Sequence, residues 1–311
     1  MTYIFIAAIA IVFFAKLVEH RLPRSVYRAV VLAGVILPLA GVAYAIWVLW
    51  ARSVGWTELA LLFGLYIVTG LGATLGYHRL VAHHSFEART PVRALFLILG
   101  SASLQGSVLN WAAWHRKHHA LSDQPGDPHS PLDGFFHAHV GWILRATPAE
   151  RDRWCRDLMG DRLIVFVDRT TFVWVGFGLA IPYAIAGWPG LLWGGLVRIA
   201  LGNHLTFAVN SVCHTFGRQP FETRDASRNN WVFGLFSLGE GWHNNHHAFP
   251  SMACHGMGWR QPDLTGLVIR LLERLRLAWA VKRPDAGAVE RRRKRPTPVL
   301  GAEDSERLRA A

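Results

Sequence analysis

Three short strings concentrate the chemistry of this chain: HRLVAH, with His78 and His83; HRKHH, with His115, His118 and His119; and HNNHH, with His243, His246 and His247. With sixteen histidines in 311 residues, a twice-repeated HxxHH would arise by accident in roughly one chain in a thousand, so composition alone does not produce it. On a helix, positions i, i+3 and i+4 share a face, and each HxxHH is expected to aim three imidazoles at a common point. His78 and His83 are five apart, a rotation of about 140° on an ideal helix, so one of them is expected just past a helix end. Imidazole suits iron, zinc, copper and nickel, and this many rings exceed what one ion can take; two adjacent metal ions are implied. His214 and Asn210, four residues apart in NSVCH, add a ninth ring and an amide able to reach a metal directly or through water.

Carboxylates near these rings have other work. Glu240 forms a single ExxH with His243, whereas a carboxylate-bridged di-iron bundle needs two such motifs and two further glutamates, so Glu240 reads as a partner receiving a ring N–H. Asp123 and Asp127 either orient ring N–H groups in the same way or cap the turn SDQPGDP. The isolated His20, His84, His129, His137, His139, His204 and His255 read as hydrogen-bonded packing residues.

Elements that can position such a site must come from an oily, basic chain. AVILMFWYC make up 51% and DEKR only 17%, with a net charge of +12 and a mean hydropathy of +0.21. That composition disfavours a soluble globule and a disordered chain, and matches apolar spans joined by positive cytoplasmic loops. The three cysteines are scattered, which excludes a disulfide scaffold and a thiolate zinc site. Apolar runs at 3–18, 28–50, 57–77, 165–186 and 190–212 predict two transmembrane hairpins, 28–77 and 165–213, with 3–18 as a retained extra helix rather than a signal peptide or interfacial segment. Residues 78–162 carry ten Lys or Arg and residues from 214 onward sixteen, so both stretches are expected on the cytoplasmic side. The run 91–109 must lie along the interface or re-enter, because a crossing there would put HRLVAH and HRKHH on opposite faces. Residues 263–281 are expected to form an amphipathic interfacial helix, and 284–311, with RRRKR, a disordered, solvated basic tail near anionic lipid; a nucleic-acid role is not expected.

The order HRLVAH, HRKHH, NSVCH, HNNHH resembles the integral-membrane fatty acid desaturases, specifically the acyl-CoA (stearoyl-type, delta-9) branch in its bacterial form. GYHRLVAH, DPHS, FFHAHVGW, VNSVCH and GEGWHNNHHAFP stand where that family places similar strings, and Arg198 lies sixteen residues before His214 as its counterpart does. The likeness runs from about residue 57 to 260. It implies an all-α membrane protein with four core spans and a cytoplasmic helical cap (78–164 and 214–283), within a desaturase domain over 1–283. It also implies two ferrous (Fe2+) ions on His78, His83, His115, His118, His119, His214, His243, His246 and His247, with Asn210 acting through water. The implied reaction consumes O2 and two external electrons, converts two neighbouring methylenes of a saturated acyl chain to a cis double bond, and releases two waters. No side chain beyond the metal ligands need act as acid or base. The helix before the first box closes the far end of the family's acyl tunnel; counting back from His78 points to Gly70 and Tyr66 as chain-length residues.

One departure concerns the carrier of the acyl chain. Acyl-CoA enzymes of this family usually show an acidic residue before HxxHH, often beside an arginine, where Ala113 and Trp114 stand here. An acyl-lipid substrate therefore competes with acyl-CoA. No haem-binding, ferredoxin-type or GxGxxG motif is present, so electrons must come from a separate ferredoxin or cytochrome with its NAD(P)H reductase, and a basic cytoplasmic face suits an acidic carrier. Related di-iron hydroxylases use boxes with embedded glutamates that are missing here. A membrane metal transporter would place acidic groups near mid-bilayer, and a bis-histidine haem protein needs two axial ligands rather than nine.

Overall fold

The computed structural model describes residues 24–51, 54–145 and 149–294; the expected helix at 3–18, His20 and the tail beyond 294 lie outside them. The chain is mostly helical. Helix α1 (Arg24–Ala51) precedes α2 (Trp56–Ala82), whose second part, Gly72–Ala82, is wound as a π-helix. A two-residue strand β1 (Glu87–Ala88) leads into α3 (Thr90–Ala102), and α4 (Val108–Leu121) carries HRKHH. A π-turn (His137–Gly141), α5 (Trp142–Arg145), α6 (Arg151–Trp154) and α7 (Arg162–Arg169) follow.

Two stretches, Trp56–Ala82 and Thr171–Ser211, are long and apolar enough to cross a membrane, with mean hydropathies of 1.9 and 1.4. The second is a hairpin rather than one rod. Helix α8 (Thr171–Gly190) is broken at Ala186 and Gly187, where Gly187 takes φ +61°, a left-handed conformation open to glycine at no steric cost. The chain then returns through a π-helical turn (Leu191–Val197) into α9 (Arg198–Ser211), bringing Gly194 against Pro182. The first expected hairpin is arranged differently. The chain of α1 packs on the π-helical turn of the second hairpin, with Ala45 buried against Leu192 and Leu196.

Within the run 91–109, helix α3 is short. Its thirteen residues span only about 20 Å, short of the ~30 Å of a hydrocarbon core. It packs on the π-helical part of α2 so closely that a Cβ on Gly72 would sit 2.1 Å from the Gly100 nitrogen. The chain then turns at Ser103–Gly106 into α4, which leaves HRLVAH and HRKHH on the same side.

The remaining elements are α10 (Trp231–Phe236), α11 (His243–Ala248), which carries HNNHH, α12 (Leu264–Arg274), β2 (Ala278–Trp279) and α13 (Ala286–Arg292). One core of Tyr77, Leu97, Val108, Val167, Ile269 and Ala278 joins the end of α2 to both stretches expected on the cytoplasmic side. Three expectations need correction. The fold is not purely α, because β2 pairs antiparallel with β1, Glu87 opposite Trp279. For the same reason the helix expected over 263–281 ends at Arg274, while Leu267, Leu271 and Leu275 leave an exposed apolar row as expected of an interfacial face. The tail is ordered as far as Lys294: Glu222 N–H donates to the Arg292 carbonyl at 2.9 Å, and Lys294 N–H donates to that of Pro220 at 2.9 Å.

Candidate metal centre

Helices α2, α4, α9 and α11 end around one buried space, and the nine histidines meet there in two groups. His78, His83, His115, His119 and His246 form one; His118, His214, His243 and His247 form the other. Neither HxxHH serves a single point, contrary to expectation. In α4, His115 and His119 serve the first group and His118 the second; in α11, His243 and His247 serve the second and His246 the first. The reason is angular. Positions i and i+4 differ by about 40° around a helix, whereas i+3 lies about 60° to the other side, so a helix running between two centres feeds both. The groups adjoin, with the His119 and His247 rings stacked at 4.4 Å.

The π-winding of α2 explains how His78 and His83 cooperate. The N–H of His83 donates to the His78 carbonyl at 3.1 Å, an i→i+5 bond that brings the fifth residue back over the first. His83 is the cap residue just past the helix, as the spacing predicts. Their rings stand 4.9 Å apart.

Carboxylates set the tautomers. His118 Nδ1 lies 3.0 Å from Asp127, His214 Nδ1 2.8 Å from Asp123 and His247 Nδ1 2.7 Å from Asp225, and His78 Nδ1 meets Glu240. An ionised carboxylate only accepts, so each of these Nδ1 atoms carries the proton and each Nε2 presents a lone pair inward. Asp123 and Asp127 do both jobs read from the sequence, because Asp127 also accepts from the backbone N–H of Asp123 and His129 within the turn. Burial alone would raise the carboxyls of Asp127 and Glu240. The His118 ring, for Asp127, and His78, His255 and Arg79, for Glu240, outweigh that and hold both far below the usual range.

Inward-facing nitrogens come close: His78 to His246 at 3.1 Å, His83 to His115 at 2.7 Å, His119 to His246 at 2.8 Å, and His214 to His243 at 3.0 Å, all between Nε2 atoms. Imidazole nitrogens this close together, turned toward one buried space, are the arrangement a metal ion gathers. Nε2 of His118 and of His247 is buried without a hydrogen-bond partner. Buried lone pairs of this kind are costly unless a cation takes them, and the donor set fits two metal ions.

Burial first, and then neighbouring imidazoles, hold His83, His115, His119, His243, His246 and His247 well below the ordinary imidazole range. In the unfolded chain each ring takes up a proton near pH 6.5, whereas the folded site resists it. Stability is therefore intact above that pH and falls as pH drops below it, by up to about 1.4 kcal/mol per ring per pH unit. The metal-free protein in detergent should lose thermal midpoint steeply between pH 7.5 and 5.5, and a flat profile over that window would contradict the buried neutral cluster.

Several partners escaped the sequence. Asp225 sits in RDASRNN with no spacing to a histidine that marks it. Arg79 is fully buried, donating to Glu240 at 2.8 Å and to Asp263 at 2.9 Å; its place beside His78 is the only hint. His129 and His255, read as packing residues, lie against the site instead. The His129 ring is 4.3 Å from that of His118, and His255 stacks on His246 at 4.3 Å with Nδ1 3.7 Å from Glu240. His84, exposed beside Asp157, and the His139–His204 pair at 3.0 Å are outside the centre.

A cavity of about 770 Å³, counting its open mouth, runs from His78, His115, His118 and His243 along α2 and α9 as far as Tyr66 and Arg198. Asn210 lines it beside His118 and His243, and Gly70 lines it further on. The Tyr66 hydroxyl donates to the Phe236 carbonyl. Near the histidines, Gln105 donates to Thr206 Oγ1 at 2.9 Å and accepts from the Trp111 indole at 3.3 Å, which closes a polar clasp in the cavity wall.

Comparison with known proteins agrees with this geometry. A family model for fatty acid desaturases matches residues 55–258. A hex-5-enoyl-[acyl-carrier protein] acetylenase of Moorena producens is 38% identical over 82% of this chain and 86% of its own length. An sn-1 stearoyl-lipid 9-desaturase of Synechocystis is 40% identical over 75% and 74%, and an acyl-CoA C20 Delta5-desaturase of Anemone leveillei 40% identical over 74% and 75%. The matched region contains every histidine of both groups, and an apolar cavity opens on them: the chain is an oxidoreductase that belongs to the fatty acid desaturase family.

Proposed function

We propose that this protein inserts a cis double bond at the delta-9 position of a saturated acyl chain, using O2 and two electrons from a separate carrier protein. The observation that carries the reading is the pair of imidazole groups at the head of a long apolar cavity. His78, His83, His115, His119 and His246 would hold one iron; His118, His214, His243 and His247 would hold the other, with Asn210 acting through water. Two irons so held would supply the oxidising power, drawn from O2: the two hydrogens leaving adjacent methylenes, two electrons from the carrier and two protons from solvent together reduce O2 to two waters. The protein's own part is positional, because a methylene chain offers no polar handle near the reacting carbons. The Gln105–Thr206–Trp111 clasp narrows the wall beside the histidines, and regiochemistry becomes a length measurement down the cavity.

The proposed topology is four spans, made by α1, α2 and the two arms of 171–211, in a cell membrane with the metal centre on the cytoplasmic side. The basic cytoplasmic surface would receive an acidic ferredoxin or haem carrier.

The resemblance led to acyl-CoA as substrate, and a specific observation favours an acyl-lipid. Arg116 spends its guanidinium on Asp157 and on the carbonyls of Val81, Ala82 and Trp154, and Lys117 is paired with Glu150. The arginine of the second box is thus committed within the fold rather than offered to the phosphates of CoA, while Lys117 holds only an exposed ion pair. Feeding purified enzyme stearoyl-CoA and stearoyl-lipid separately distinguishes the two.

Expression in a host lacking its own desaturase, beside a His119→Ala control, tests the function directly. New mono-unsaturated chains should appear by gas chromatography with the intact protein alone; their absence would refute it. In the same assay Gly70→Leu is expected to move preference toward shorter chains by about tenfold, the scale on which a few methylenes are discriminated. A Cβ at Gly70 already comes within 2.8 Å of Leu238 across the cavity, and an unchanged product profile would remove the assignment.

A further inference from the structure

Arg198 is 2% exposed inside the apolar stretch Thr171–Ser211, and among the described residues it has no carboxylate partner. A guanidinium there is costly unless its N–H groups find acceptors. It finds four. Nε donates to the Gly194 carbonyl at 2.8 Å, Nη1 to the Ala102 carbonyl at 3.0 Å and to Thr69 Oγ1 at 3.2 Å, and Nη2 to the Gly178 carbonyl at 3.2 Å.

Those acceptors are available for identifiable reasons. In α8 the helical donor to Gly178 would be residue 182, which is Pro182 and has no N–H. Ala102 ends α3, and the turn after it closes onto Gly100 and Ser101 instead, leaving its carbonyl open. Thr69 donates its own hydroxyl proton to the Leu65 carbonyl at 2.7 Å, which leaves its lone pairs for Arg198. The bare Gly178 lets α8 approach α3 until a Cβ there would lie 3.0 Å from the Ala102 oxygen. The guanidinium donates to a carbonyl on each of these two helices.

Arg198 also lines the cavity with Tyr66, Thr69 and Gly202. It stands twelve residues before Asn210 on α9, about 18 Å from the metal end. We infer that Arg198 is a positioning residue: by donating to backbone carbonyls freed by Pro182 and by the end of α3, it ties α2, α3, α8 and α9 together and sets the floor of the acyl cavity. The assignment of a floor rests on the cavity being the acyl tunnel; the tie itself does not.

Arg198→Lys keeps the charge but loses the planar fork that reaches separate carbonyls, and Arg198→Met loses both. Each should retain two irons per chain, because Arg198 touches no histidine of the centre. Each should lower the thermal midpoint in detergent and change the ratio of octadecenoyl to hexadecenoyl products by about fivefold or more. Pro182→Ala returns an N–H to the Gly178 carbonyl, so it should recover part of the midpoint lost in Arg198→Met while adding little to the wild type. The inference fails if Arg198→Lys keeps the wild-type midpoint and product ratio, or if Pro182→Ala shifts the midpoint of wild type and Arg198→Met equally. The midpoint coupling is read without turnover, so an inactive wild type would count against the desaturation reading alone.

Discussion

Replacing His119 by alanine is expected to lower desaturation by more than about 10³-fold and to leave about one iron per chain after reconstitution. Removing an outer partner of a metal ligand costs 10–100-fold in affinity or activity, and His119 lies nearer than that. Its Nε2 is 2.8 Å from that of His246, and its ring also packs on His83, His115 and His247, so it stands where the two groups meet. Helix α4 itself should survive, because alanine is the best helix former and the other face of α4 is buried through Val108, Leu109 and Ala112. Iron content by elemental analysis and products by gas chromatography check the two halves separately. Two irons retained with activity intact would show that His119 is not a ligand and would undo the proposed division of rings.

Glu240→Gln should have the second largest effect, through two routes that can be measured apart. The carboxylate receives His78 Nδ1 and Arg79 together, with His255 3.7 Å away. Glutamine keeps the size, but its single oxygen cannot serve both donors and its amide turns N–H groups toward one of them. His78 then loses its fixed tautomer, and iron affinity at the five-histidine group should drop by 10–100-fold. Arg79, fully buried, keeps only Asp263 as an ionic partner, beside the Ala253 carbonyl; breaking a buried ion network of this kind costs about 3–5 kcal/mol, so the thermal midpoint of the metal-free protein should fall as well. Asp263→Asn should lower the midpoint without the same loss of iron affinity, since Asp263 touches Arg79 and not His78. Wild-type iron binding in Glu240→Gln would show that the contact with His78 is incidental.

The histidine strings, the metal-binding chemistry they imply and the long apolar stretches could be read from residue order alone. Helical spacing and hydropathy are local properties: HxxHH on a helix keeps its three rings within about 100° of arc whatever the rest of the chain does, and an apolar run of twenty residues has few other uses. The apolar hairpin expected over 165–213 rested on that basis, whereas the run 91–109 looked long enough to span and only the need to keep the histidine boxes on one face argued against a crossing. The carboxylates on the rings were legible only in part: Asp127 serves its sequence neighbour His118, whereas Glu240 serves His78 rather than the nearby His243, Asp123 serves His214, and Asp225 reaches His247 from the far side of α10.

Tertiary structure alone decided how the nine rings divide. No spacing rule separates His118 from His115 and His119; their assignment depends on where α11 and the π-wound end of α2 stand relative to α4. It also decided that His255 stacks on His246, that Arg79 binds Glu240 and Asp263, and that β1 pairs with β2, since each contact joins segments more than five residues apart by packing that no local pattern records. Arg198 shows the division most sharply. Its position in an apolar run is plain in the sequence, but the carbonyls that make it tolerable are freed by a proline and a helix end on other elements, and only folding brings them to one guanidinium.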